Sequence, residues 1–68
     1  MPTIAISAEH RQKFNQLFAE WQREYGATIQ GMPPMSVAPD GRDVYSWVPE
    51  SMLPFLQKAS VKYELISN

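Results

Sequence analysis

A chain of 68 residues without cysteine has a thin core and no disulfide or thiolate metal site to reinforce it, since a domain of roughly 60 residues buries only about 60% of its unfolded surface. Six basic against seven acidic side chains leave a formal net charge of −1, without the basic footprint on which nucleic-acid binding leans. One histidine, His10, cannot make a zinc site without several converging carboxylates, so self-association is the reinforcement left and a homodimer is expected.

No apolar run approaches the ~20 residues that span a bilayer, and the N-terminal stretch lacks the basic and apolar regions of a secretory signal. The expectation is one soluble, cytoplasmic domain over residues 1–68, with no membrane association.

In chain order, residues 3–7 alternate, with Ile4 and Ile6 on one face, and predict a short half-buried strand. Ser7 stands where a helix N-cap belongs, and Glu9 follows in the first turn. Residues 8–26 form the clearest element: Phe14, Leu17, Phe18, Trp21 and Tyr25 fall on one helical stripe, and Gly26 suits the C-terminal stop. Residues 27–38 predict an edge strand, extended at Thr28 and Ile29, broken near Gly31 and Pro33-Pro34, and resuming at Met35–Val37. The alternative is that most of this segment is loop.

Pro39, Asp40 and Gly41 supply a turn, and residues 43–48 the returning strand. Pro49 and Glu50 lead into a second helix with Met52, Leu53, Phe55, Leu56 and Ala59 as its apolar face. Ser51 is its expected N-cap, which places Pro54 in the first turn, where proline loses no hydrogen bond. Residues 61–67 alternate again and predict a last strand, with Val61, Tyr63 and Leu65 joining the core.

The order β-α-β-β-α-β predicts an α+β fold of the ferredoxin-like βαββαβ arrangement, a four-stranded antiparallel sheet with two helices on one face. Right-handed crossovers would put strands 3–7 and 43–48 in the centre, with 61–67 beside the first and the proline-rich segment at the other edge.

Catalytic chemistry finds little support. Ser7 and His10 are the one nucleophile–base candidate, and a capping serine next to a solvated histidine explains both without a third member of a triad. Asp40 with Asp43, and Glu20 with Glu24, read as turn and surface carboxylates rather than acid–base pairs. The ordered oxygen-ligand series of a calcium loop and any glycine-rich phosphate loop are missing from the sequence. No enzyme, cofactor or metal is expected.

Surfaces remain. Tyr45 and Trp47 are expected to point outward, away from the helices, because adding them to Phe14, Phe18, Trp21 and Phe55 would overpack a thin core. Beside Thr3 and Ala5 they would make a shallow aromatic platform. Met32 and Met35, with two prolines between them, make an adaptable apolar patch unless they fold back to plug the core. These four residues, Tyr45, Trp47, Met32 and Met35, are the expected partner-binding set. The expected function is a small non-enzymatic interaction protein, homodimeric and suited to an inhibitor or accessory role. A single-stranded nucleic-acid module using the sheet aromatics and a small-molecule regulatory domain are the alternatives.

Overall fold

The alternation at the start of the chain produces a strand: Thr3–Ile6 is β1, with Ile4 and Ile6 both buried. A computed structural model describes residues 1–25 and 32–67. After a 3₁₀ turn at Ala8–His10, Arg11–Tyr25 forms α1. Its stripe of Phe14, Leu17, Phe18 and Trp21 is buried, whereas Tyr25 in the last turn is exposed. Ser7 makes no side-chain cap; instead its carbonyl accepts the His10 backbone N–H at 2.9 Å, which closes the 3₁₀ turn. The expected stop at Gly26 and the expected strand residues Thr28 to Gly31 lie outside the described residues.

Met35–Val37 forms β2 and Asp43–Tyr45 forms β3. Between them Gly41 takes φ +91°, and its N–H donates to the Ala38 carbonyl. Asp40 accepts the Arg42 backbone N–H at 3.0 Å, so this turn is stabilised by local acceptor chemistry. β3 is shorter than the expected strand, because Trp47 takes a positive φ two residues past its end.

A second 3₁₀ turn, Glu50–Met52, runs into α2, Leu53–Lys58. Pro54 sits in the first turn, where its missing N–H costs nothing. Ser51 does not cap this helix. Its Oγ accepts the indole N–H of Trp21 at 2.7 Å and so joins α1 to the second helical region.

The end of α2 is closed by two bonds, Ser60 N–H to the Gln57 carbonyl and Val61 N–H to the Leu56 carbonyl, at 3.1 and 2.9 Å. This is a Schellman closure, with Ser60 at φ +60° in the position glycine usually fills. It delivers Val61 into the core. β4, Tyr63–Ser67, follows.

The four strands form one antiparallel sheet in the order β2-β3-β1-β4. With the two helices on the face that carries Ile4, Ile6 and Tyr45, this is the α+β, ferredoxin-like arrangement expected from element order. The core joins Phe14, Leu17, Phe18 and Trp21 from α1 with Ile4, Ile6, Tyr45, Val48, Met52, Leu56 and Val61. Leu65 departs from expectation: it pairs opposite Ile4 on the helix side but lies on an edge strand and stays half exposed.

Asp43 is the one charged side chain buried among the described residues. Its two carboxylate oxygens accept from Arg11 Nε and Nη2 at 2.8 and 2.7 Å, a bidentate clamp between β3 and the start of α1. The Arg11 hydrogen bonds hold its pKa below the ordinary carboxylate value, against the opposing effect of burial. On the opposite face, Arg42 reaches across β1 to Glu64 of β4 at 2.6 Å.

Candidate functional site

Tyr45 and Trp47 do not share a face. Tyr45 pairs with Ile4, so the pleat turns it toward the helices, where it is 2% exposed. The expected outward direction is therefore corrected. Overpacking is avoided because the ring lies flat on Phe14, with centroids 3.8 Å apart and planes 17° from parallel. Burial raises the phenol pKa, with the nearby Asp43 charge adding to it, and the hydroxyl has no hydrogen-bond partner among the described residues.

Trp47 escapes the core through a backbone device. Continued pairing past Tyr45 and Ile4 would bring Trp47 opposite Pro2, on the same side as Tyr45. Instead the Pro2 carbonyl accepts the N–H of Val48 at 2.9 Å, while the Ser46 N–H bonds the Pro34 carbonyl on the other side, also at 2.9 Å. Trp47 is the extra residue of a bulge and takes φ +58°. Val48 occupies the inward position, fully buried, and Trp47 is 65% exposed. A bulky residue at positive φ is an outlier that stores strain, and such outliers concentrate at functional positions.

The same hydrogen bonds fix Trp47's neighbours. The Pro34 segment lies against one side of the bulge and the Pro2 segment against the other. Met32 and Met35 flank the prolines, and both are exposed; neither plugs the core. Three of the four residues singled out by sequence, Trp47, Met32 and Met35, are therefore brought to the end of the sheet where β3 stops and β2 begins. Val37 belongs with them and was missed. It pairs opposite Asp43 as Met35 pairs opposite Tyr45, so both lie on the helix side of β2 beyond the cover of the helices. The signal was the alternation Met35-Ser36-Val37 itself.

The open face offers Ser36, Val44, Ala5, Arg42 and Glu64 and, among the described residues of the paired strands, no aromatic. With Tyr45 buried on the helix side, the expected pairing of two aromatics on the open face is not formed. A broad, open depression of about 510 Å³ lies beside the end of α2, lined by Gln57, Ser60, Val61, Lys62 and Tyr63.

Of the catalytic candidates, Ser7 and His10 share one 3₁₀ turn, where the His10 backbone N–H donates to the Ser7 carbonyl. His10 Nε2 lies 3.5 Å from Glu9 Oε1. Asp40 is exposed and engaged with Arg42, whereas Asp43 is buried against Arg11. Glu20 and Glu24 are both exposed. Among the described residues no group of three or more His, Cys, Asp or Glu is placed to hold a metal ion, and no helix is long and apolar enough to cross a membrane. No family model matches this chain, and neither a curated protein nor a solved structure is detectably similar to it.

Proposed function

We propose that this chain is a small, non-enzymatic binding protein that acts through protein–protein contact. Trp47 is the anchor, and Met32 and Met35 are the adaptable surface beside it. The observation that carries this reading is the strained, solvent-facing Trp47. The fold excludes this side chain from the core at a backbone cost, and tryptophan is the residue type most enriched at energetic centres of interfaces. The flanking methionines add polarizable, unbranched side chains that adjust to a partner.

Immobilised wild-type chain and its Trp47→Gly and Met32→Ala/Met35→Ala variants would be exposed to an extract of the source cells. Retention of a specific protein by the wild type, lost with Trp47→Gly and kept with Lys13→Ala on the exposed face of α1, is the expected result. Equal retention by wild type and Trp47→Gly would remove Trp47 from the site and this reading with it.

A further inference from the structure

The hydrogen bonds around β2 also determine what its free edge presents. The pairs Pro34–Ser46 and Ala38–Arg42 are bonded through Ser46 N–H and Ala38 N–H, at 2.9 and 2.8 Å. An antiparallel ladder alternates bonded and non-bonded pairs. Ser36–Val44 is therefore a bonded pair, and the N–H and C=O groups of Met35 and Val37 point away from β3, out of the sheet. Among the described residues β2 is a terminal strand, so these groups have no neighbouring strand there.

The two edges of the sheet differ. β4 is blunted in ways that discourage pairing: a register shift inserts Ile66 between the Ile4–Leu65 and Thr3–Ser67 pairs, and Glu64 adds a charge. β2 has neither protection. Residues 32–38 carry no charged side chain, its register with β3 is regular, and Met35 and Val37 expose 42% and 60% of their surface.

We propose that two copies of this chain pair antiparallel along β2, about a two-fold axis through Ser36, and continue the sheet from four strands to eight. This names one partner within the interaction reading above, on which it builds, and it needs no contact by Trp47. The edge is self-complementary about that axis. Met35 of one copy faces Val37 of the other, and each residue offers one outward N–H and one outward C=O, so two donors per copy make four backbone bonds. The same rotation sets the exposed Met35 and Val37 side chains against each other on the helix side, where cross-strand apolar pairs stabilise a sheet. Pro33 and Pro39, the next positions of the same parity, have no N–H, so the ladder closes after these bonds. An uncharged strand meets its own copy without like-charge repulsion.

The mass of the wild type in solution, by sedimentation equilibrium over a concentration series reaching the millimolar range, is expected to approach twice the monomer mass. Met35→Lys/Val37→Lys, which alters only exposed side chains, is expected to return the monomer mass with an unchanged circular dichroism spectrum. Met35→Glu/Val37→Lys sets opposite charges across the axis and is expected to regain the dimer. In this cysteine-free chain, Ser36→Cys is expected to cross-link on mild oxidation faster than Ser60→Cys, because a central non-bonded pair brings the Cα atoms to about 4.5 Å, within disulfide range. A wild type that stays monomeric throughout overturns the proposal, as does a dimer indifferent to the lysine pair or one dissolved by Trp47→Gly. None of these outcomes touches the extract assay of Trp47, whose failure is read separately.

Discussion

Val48, rather than Trp47, donates its backbone N–H to Pro2, at 2.9 Å. That one-residue displacement turns a tryptophan out of the core and a valine into it. The left-handed backbone at Trp47 is what makes it possible, and it has a measurable cost, since a side chain in this region costs roughly 1–2 kcal/mol.

Trp47→Gly is accordingly expected to raise stability by about 0.5–1 kcal/mol, part of the relieved strain being offset by glycine's greater loss of chain entropy. Trp47→Ala should bring no such gain, because alanine keeps the Cβ. Urea denaturation of the three proteins checks this; equal midpoints for the glycine and alanine variants would mean that the bulge is unstrained. Ser60→Gly, at the Schellman position of α2, should shift in the same direction.

Tyr45 buries a hydroxyl that has no partner among the described residues. Tyr45→Phe keeps the stack on Phe14 and removes a group whose burial costs about 1–3 kcal/mol when unsatisfied. The variant is expected to be at least as stable as the wild type in thermal unfolding. A loss above about 1 kcal/mol would show that the hydroxyl is satisfied in solution.

The Trp21–Ser51 bond spans 30 residues and ties α1 to the turn that opens α2. Ser51→Ala leaves a largely buried indole N–H without its acceptor and is expected to cost about 1–2 kcal/mol, whereas a mere loss of helix-capping preference would leave Trp21 fluorescence unaltered. Fluorescence in a Trp47→Phe background reports the indole directly; an unchanged emission maximum with unchanged stability would rule the bond out as a structural tie.

Arg11 and Asp43 behave as a unit. Arg11→Met strands a buried carboxylate, so it is expected to lower the melting temperature more than Arg11→Met/Asp43→Leu, which replaces both partners by apolar groups. The pH dependence has a definite sign. The folded-state pKa of Asp43 is depressed below that of the unfolded chain, so the native state binds fewer protons between the two values. Its contribution is complete above about pH 4 and is lost as pH falls through the depressed folded value. Asp40 is shifted in the same direction, chiefly by the Arg42 backbone N–H. The comparison that isolates the buried group is therefore Asp43→Asn against wild type, with a shallower acid limb expected for the variant.

Helix α1, the β-α-β-β-α-β order and the position of each strand in the sheet were legible in the sequence. The apolar stripe of Phe14 to Trp21 and the alternation of Ile4 and Ile6 are local periodicities, and crossover handedness then leaves few ways to arrange four strands. The outward direction of Trp47 was expected too, from the limited room of a thin core, whereas Met32 and Met35 could also have folded back to plug that core, and both are exposed. Three features were decided only by tertiary structure. Tyr45 faces inward because its direction follows from its register with Ile4 and from a flat stack on Phe14, 31 residues earlier by the numbering of the chain. Ser51 serves Trp21 instead of its own helix. Trp47 leaves the pleat through a bulge that carries no glycine to announce it. Periodicity reports which side chains share a face, but a single inserted residue exchanges the two faces, and only the hydrogen bonds of the neighbouring strands determine where that insertion falls.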